Sequence, residues 1–182
     1  MFRALHARQS LANTVVMFSS DNGILQGEHR IPPLAKNLPY EPSVRVPCFL
    51  RAPGVTASVV AQPVHMAIDL TATCVDVGRA EPGLALDGVS LLDVLDDPDR
   101  YRDRRLLFER DNRDDPISLR CPRAAGVFTM GRKLIRYDTS PPTFEFYDLE
   151  RDPNELQNVA DDPRYATDRA ELEDELDALL SS

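Results

Sequence analysis

The sequence predicts an α/β fold, and three of its segments carry that prediction. Residues 14–18 (TVVMF) form an apolar run without alternation, which is typical of a strand buried on both faces inside a parallel sheet. Three β-rich runs in the last third predict a small antiparallel sheet, at 126–130, 133–138 and 144–149. Residues 163–182 predict a terminal amphipathic helix that begins after an Asp162 N-cap. Its apolar stripe comprises Tyr165, Leu172, Leu176 and Leu179.

The composition is that of an ordinary globular protein. The chain has 182 residues, of which 42% are hydrophobic and 28% charged, and its net charge is -9. Its basic residues are scattered, so we do not expect a nucleic acid as partner. No apolar run is long enough to predict a membrane-spanning helix.

Polar side chains follow the first predicted strand. Ligands of open α/β sheets bind beyond the carboxyl ends of strands, and Asp21 and Asn22 lie at such an end. One carboxylate and one amide carbonyl are hard oxygen ligands that suit calcium or magnesium. Taken alone, Asp21-Asn22-Gly23 is more typical of a plain turn, since Asn-Gly is a common hairpin signal.

Four motifs together resemble a known family. S20-DNG, G27-EH, K36-NLPYEPSVRVP and R51-APGV match the second half of the sulfatases, within the alkaline-phosphatase-like superfamily, in order, spacing and residue type. The resemblance implies that Asp21 and Asn22 bind the active-site calcium. It also implies that Lys36, which precedes Tyr40-Glu41, contacts the sulfate of the substrate.

The loop between Gly23 and Arg45 is rich in proline, which favours a rigid presentation of Lys36. A lysine ammonium is a compact charge with three donors, so it suits a tetrahedral oxyanion. His29 lies in the family's Gly-Glu-His motif. It is interpreted either as a catalytic residue or as an ordinary loop histidine.

The sulfatase nucleophile is absent from the sequence. Sulfatases carry a Cys/Ser-x-Pro-x-Arg motif whose first residue is oxidised to formylglycine, and Cys121-Pro122-Arg123 has the wrong spacing for it. We therefore expect formylglycine only in a missing amino-terminal half. The cysteines Cys48, Cys74 and Cys121 show no metal-ligand or redox spacing, so we expect buried or partly buried free thiols.

Several other segments have a structural interpretation. Residues 63–78 predict a helix with Met66, Leu70, Thr73 and Val77 on one face and Gly78 as C-cap. Asp69 on this helix and the turn at 86–95 are expected to serve packing, as is the C-terminal signature at 148–163. The acidic residues between 111 and 115 lack the spacing of a calcium loop, so no second metal site is expected there.

The predicted organisation has two parts. Residues 1–115 are expected to be an incomplete carboxy-terminal part of a sulfatase catalytic domain, and 116–182 its C-terminal subdomain. The runs at 14–18, 46–51 and 106–109 are assigned to the large sulfatase sheet. They supply too few elements to cover both faces of that sheet, so we expect exposed edges and weak stability.

The predicted function is that of a sulfuric ester hydrolase fragment. It carries half of a calcium and sulfate site, and we expect it to be inactive alone, because the formylglycine nucleophile is absent and two oxygen ligands are too few to hold calcium firmly. In the complete protein the substrate is a sugar or aryl sulfate ester. The alternatives are a non-catalytic remnant that acts as a binding module and a fragment of a related phosphodiesterase or phosphonate hydrolase. The sequence contains no signal peptide, although the family is often exported, so the localisation stays open.

Overall fold

A computed structural model describes residues 1–36, 38–111 and 122–181. The α-helices are α1 (Phe2–Ala7), α2 (Glu41–Val44), α3 (Met66–Gly78), α4 (Leu91–Asp96) and α5 (Ala166–Ser181). The strands are β1 (Val16–Phe18), β2 (Phe49–Arg51), β3 (Leu106–Arg110), β4 (Ala124–Phe128), β5 (Arg132–Tyr137) and β6 (Thr143–Asp148). Short 3-10 turns span Leu11–Asn13, Glu28–Arg30, Pro98–Tyr101 and Pro163–Tyr165.

The chain forms two compact units. The first comprises Met1–Asp21 and Val46–Tyr101, and the second comprises Asn22–Arg45 and Arg102–Ser182. The predicted domain boundary at 115/116 lies outside the described residues and stays a prediction, as does the absence of a calcium loop there. None of the helices in the described ranges combines the length and apolar character needed to cross a bilayer.

In the first unit, β1 and β2 form a two-stranded antiparallel ribbon. Phe18 pairs with Phe49, and Val16 pairs with Arg51. The prediction of a parallel strand buried on both faces is therefore wrong. A non-alternating apolar run is buried on both faces only where other elements cover both, and here Phe18 is 62% and Phe49 65% exposed. The exposed edges and weak stability expected from the sequence stay predictions.

Helix α3 is held by polar contacts of its buried face. The Asp69 carboxylate accepts the backbone N–H groups of His65 at 2.6 Å and Val89 at 3.0 Å, and it is fully buried. Thr73 Oγ1 accepts the Leu91 N–H at the start of α4. The structural role predicted for Asp69 and for the 86–95 turn is confirmed.

Two details of α3 differ from the prediction. Its buried residues are Asp69, Ala72 and Thr73, whereas Val77 is 43% exposed, because the turn before α4 docks on polar groups instead of an apolar stripe. Gly78 is the last helical residue, and Arg79 adopts the left-handed conformation that ends the helix.

The second unit is built on a four-stranded antiparallel sheet in the order β3-β4-β5-β6. The predicted meander is confirmed as β4, β5 and β6. The assignment of the Leu106 run to the large sulfatase sheet is wrong, because Leu106 pairs with Phe128 and Arg110 with Ala124. Strand β3 is therefore an edge strand of the small sheet.

The side chains of β5 alternate between the two faces of this sheet. Leu134 packs against Leu172 and Leu176 of α5, as the predicted helix stripe requires. Ile135 belongs instead to a cluster on the opposite face, which includes Tyr147 and the partly buried Tyr40. The loop that contains Tyr40 thus covers the face that α5 leaves open.

The C-terminal signature and the start of the last helix have the predicted structural roles. Asn158 Oδ1 accepts the Phe146 N–H at 3.0 Å, which ties the signature to β6. Asp162 accepts the Arg164 N–H at 3.0 Å as an N-cap. The expectation of buried thiols is wrong for Cys48 and Cys74: both are exposed, since Cys48 precedes the exposed ribbon strand β2 and Cys74 lies on the outer face of α3.

Candidate functional site

The polar turn after β1 is anchored by Gly23. Its N–H donates to the Ser43 carbonyl at 2.8 Å, and a Cβ atom on Gly23 would lie 2.1 Å from the Pro42 carbonyl oxygen. Glycine is therefore required by a close backbone approach and not by an unusual φ angle. This long-range anchoring replaces the hairpin that Asn22-Gly23 could have formed.

Asp21 belongs to the first compact unit and Asn22 to the second. Ser20 Oγ donates to Asp21 Oδ1 at 3.3 Å, and Asn22 Nδ2 donates to the Gly23 carbonyl at 2.7 Å. The two residues offer the hard oxygen atoms that calcium prefers, but the ion takes roughly six to eight. Within the described ranges, no group of three His, Cys, Asp or Glu side chains could hold a metal. The donors fit calcium in kind but not in number.

Lys36 lies at the end of a closed loop. Leu25 and Ala35 form an isolated antiparallel bridge in which the Leu25 N–H donates to the Ala35 carbonyl at 2.9 Å. The Leu25 side chain is fully buried and fixes this bridge. Lys36, the residue after Ala35, is exposed. The bridge therefore fixes the backbone next to Lys36, and the ammonium group is presented to solvent.

The same loop contains three non-glycine residues with positive φ. The φ angles are 54° at His29, 57° at Arg30 and 71° at Leu34. Such residues each cost about 1–3 kcal/mol and persist only where surrounding contacts impose them. Strain of this kind is common in functional loops, so it favours a functional role for this segment.

The imidazole of His29 is held by an aromatic contact. Its ring stacks on Tyr40 with centroids 4.0 Å apart and planes 15° from parallel. Nε2 is buried and has no hydrogen-bond partner among the described residues. The stacking fixes the ring, and both interpretations of His29 stay open.

Tyr40 is anchored in turn by a carboxylate on β6. Its hydroxyl lies 3.1–3.2 Å from both carboxylate oxygens of Glu145, and the Tyr147 hydroxyl donates to the same group at 3.1 Å. Burial raises the pKa of Tyr40 to about 12, with a further contribution from the Glu145 charge, and the pKa values of Tyr137 and Tyr147 are raised for the same reasons. These hydroxyls thus stay protonated and serve as donors.

A buried ion cluster beside this site was missed in the sequence. Lys133 on β5 is fully buried, and its Nζ donates to the Pro39 carbonyl at 3.0 Å, to Glu41 Oε1 at 2.8 Å and to Glu155. The sequence pattern places Lys133 in the predicted strand at 133–138 and Glu155 in the C-terminal signature at 148–163. The available signal was the position of Lys133, which shares a strand face with Ile135 and Tyr137.

Comparison with known proteins identifies the family. Residues 27–182 match the sequence model of a family described as N-sulphoglucosamine sulphohydrolase, C-terminal. N-acetylglucosamine-6-O-sulfatase of Bacteroides thetaiotaomicron is 29% identical over 164 residues, which are 89% of this chain and 29% of that protein. Human arylsulfatase K is 30% identical over 165 residues, which are 86% of this chain and 30% of that protein. The chain thus spans less than a third of the length of either relative.

Solved structures agree with this match. A protein in complex with its substrate D-glucosamine-2-N,6-O-disulfate superimposes with a TM-score of 0.82 at 25% identity, over 99% of this chain and 36% of that one. The phosphonate monoester hydrolase of Agrobacterium radiobacter gives a TM-score of 0.79 at 25% identity, over 99% and 37% of the two chains. The predicted fold class, the carboxy-terminal part of the alkaline-phosphatase-like sulfatase fold, is confirmed. This chain belongs to the N-sulphoglucosamine sulphohydrolase C-terminal family of the sulfatases.

Proposed function

We propose that this chain supplies part of the metal and anion site of a sulfuric ester hydrolase. Asp21 and Asn22 provide two oxygen ligands for calcium, and Lys36 binds the sulfate group. The observation that carries the proposal is the closed loop between Leu25 and Ala35, which presents Lys36 in a segment covered by the family match. His29, fixed on Tyr40 in the same loop, is the candidate second contact to the substrate.

The chemistry proposed for these residues is electrostatic. A bound calcium ion would neutralise charge on the sulfate oxygens. The Lys36 ammonium donates to the non-bridging oxygens, where negative charge develops as the ester bond breaks. Residues 1–182 contain no Cys/Ser-x-Pro-x-Arg motif, so we do not expect them to supply the formylglycine nucleophile.

The proposed substrate class is a sulfated sugar. Two comparisons support a sugar over a simple aryl ester: the relative named N-acetylglucosamine-6-O-sulfatase and the solved structure with glucosamine disulfate. In both of those proteins the group that is bound or cleaved is a sulfate on an amino sugar. We extend that class to this chain.

The test uses the fact that the chain contains only two lysines, Lys36 and Lys133. Acylation of Lys36 by acetic anhydride is followed by mass spectrometry, with calcium present, in sodium sulfate and in sodium chloride of equal ionic strength. We expect sulfate to slow the acylation of Lys36, and an Asp21→Ala, Asn22→Ala variant to lose part of that protection. Equal rates in the two salts would contradict the proposal.

A turnover assay tests the predicted lack of activity. The 182-residue chain with calcium should release no phenol from an aryl sulfate, because the nucleophile motif is absent from it. The Lys36→Ala variant, assayed under the same conditions, is the control for background release. Calcium-dependent release that disappears in this variant would overturn the prediction.

A second candidate, a phosphonate hydrolase site, is favoured by the likeness to the phosphonate monoester hydrolase. A lysine that binds tetrahedral anions does not distinguish sulfate from phosphonate by its charge type alone. Methylphosphonate replaces sulfate in the same labelling experiment. Methylphosphonate and sulfate are compared at concentrations that supply equal anionic charge. Stronger protection of Lys36 by methylphosphonate than by sulfate would favour this candidate.

A further inference from the structure

The two lysines of the chain have opposite environments. Lys36 is exposed, whereas the side chain of Lys133 is completely buried between β5 and the segment that follows Lys36. All 19 other side chains with a permanent positive charge are arginines. The buried cation at position 133 is thus a lysine in a chain whose cations are otherwise almost all arginines, and the geometry of its partners explains this choice.

The relevant features of this geometry are the number and direction of the acceptors. A lysine ammonium has three donors, and Lys133 meets three acceptors: the Pro39 carbonyl, Glu41 Oε1 and Glu155 Oε1. The Phe128 ring lies 4.6 Å from Nζ on the remaining side. An arginine would bring five donors in a rigid planar fork, a geometry less suited than an ammonium to acceptors that converge on one point.

Glu155 completes the cluster from the C-terminal signature. Its second carboxylate oxygen accepts the Glu41 N–H at 2.6 Å, and its side chain is fully buried. Its backbone adopts a positive φ of 57°, with its N–H bonded to the Asp152 carbonyl. The signature thus bends to direct one carboxylate at both the ammonium and the backbone of the loop.

The segment held in this way contacts two parts of the candidate site, the His29 ring and the turn at Gly23. Pro39 and Glu41 flank Tyr40, on which His29 stacks. The following helix α2 provides the Ser43 carbonyl that anchors Gly23, directly after Asn22. Displacing residues 38–43 would release both the imidazole and the turn.

We propose that Lys133 and Glu155 are positioning residues, which clamp residues 38–43 to the sheet and thereby set the geometry of the loop that carries His29 and Lys36. The clamp acts from the interior and touches no substrate. Its effect on sulfate binding rests on the function proposed for Lys36, whereas the clamp itself does not depend on that function.

The direct test measures opening of the clamp in the full chain. Amide exchange of residues 38–44 is followed in wild type, Glu155→Gln and Lys133→Met, and acylation of Lys133 in wild type and Glu155→Gln. In Glu155→Gln the buried ammonium loses a charged partner, so the acylation rate of Lys133 should rise by about tenfold or more. Amide exchange at residues 38–44 should be faster in both variants. Arg136→Met, a partly exposed charge on the same strand, and Glu171→Gln, an exposed charge on α5, are the controls, and we expect wild-type rates for them.

The second measurement separates positioning from stability. The sulfate affinity of Lys36 is taken from its acylation rates well below the melting temperature. We expect this affinity to weaken in Glu155→Gln and Glu155→Asp. Amide exchange within β5 and β6 should stay at the wild-type rate. Glu155→Asp keeps the charge but is one methylene too short to reach Nζ. Wild-type exchange at 38–44 in Glu155→Gln would overturn the clamp. If sulfate does not protect Lys36 in wild type, the proposed function fails, and the exchange data still decide the clamp.

Discussion

At Gly23 the chain passes so close to Pro42 that no side chain fits, and this contact holds the turn that carries Asn22. The neighbouring candidate residues depend on similarly local causes. Lys36 follows the bridge between Leu25 and Ala35, and the His29 ring stacks on Tyr40, whose hydroxyl is hydrogen-bonded to Glu145. At this scale the site is defined by contacts between residues far apart in sequence.

Gly23→Ala should destabilise the protein by about 1–3 kcal/mol, since its Cβ would have to displace the Pro42 carbonyl. Gly78→Ala is the matched control. Its Cβ meets no atom within 4 Å, and alanine at the end of α3 should be neutral or stabilising by up to about 1 kcal/mol. Urea unfolding of the two variants measures the difference, and equal stabilities would contradict the close approach at Gly23.

Lys133→Met should lower the free energy of unfolding by about 3–5 kcal/mol, because it leaves the fully buried Glu155 carboxylate without a cation. Arg136→Met on the same strand breaks a partly exposed pair with Asp177 and should change stability by at most about 1 kcal/mol. Chemical denaturation of both variants provides the comparison. A loss in Lys133→Met no larger than in Arg136→Met would show that the buried pair contributes little.

At the scale of the elements, the carboxyl group of Asp162, the N-cap before helix α5, changes its protonation at low pH. The side-chain and backbone hydrogen bonds from Arg164 lower the pKa of Asp162 from 3.8 to about 2. A pKa that is lower in the folded state than in the unfolded state gives a stabilisation that is present above about pH 4 and is lost as the pH falls towards 2. The carboxylate form of Asp162 therefore stabilises the turn that leads into α5 only above this window.

Asp162→Asn keeps an N-cap side chain but removes its charge. We expect the variant to melt at a lower temperature than wild type at pH 7 and at the same temperature near pH 2, as read by circular dichroism. Asp161→Asn, at the adjacent exposed carboxylate, is the control for a general charge effect. A difference between wild type and Asp162→Asn that persists unchanged to pH 2 would contradict the assignment.

At the scale of the whole molecule, the two compact units differ in how their strands are supported. The four strands of the second unit are covered by α5 on one face and by the Tyr40 loop on the other. The β1–β2 ribbon has two short strands with Phe18 and Phe49 largely exposed. An isolated two-stranded ribbon is at best marginally stable in water.

Native-state amide exchange should therefore be much faster at residues 16–18 and 49–51 than at residues 124–127 and 133–136. The physical reason is the low cost of opening a ribbon with little buried apolar surface. Replacing both phenylalanines by serine should raise solubility without lowering the stability of the second unit. Uniform protection, or a single sharp cooperative melt of a soluble monomer, would contradict this difference between the units.

Elements with a complete local signal were predictable. The β4–β6 meander has turn residues between alternating strands, and α5 has a cap and a regular stripe. The family motifs likewise identified Asp21, Asn22 and Lys36 as candidates, although their roles stay proposals. The short helix α2 was not predicted, since Pro42 suggested an extended loop but occupies its first turn.

Sequence by itself thus determined the family, the C-terminal sheet with its helix, and the residue types available to bind calcium and sulfate. Tertiary structure alone decided which strands pair, since pairing depends on partners that no local pattern specifies. It placed the Leu106 strand at the edge of the small sheet, and it exposed Cys48 and Cys74. It also brought Lys133 and Glu155 together beneath the Lys36 loop, because a buried charge is stable only where acceptors from distant segments converge on it.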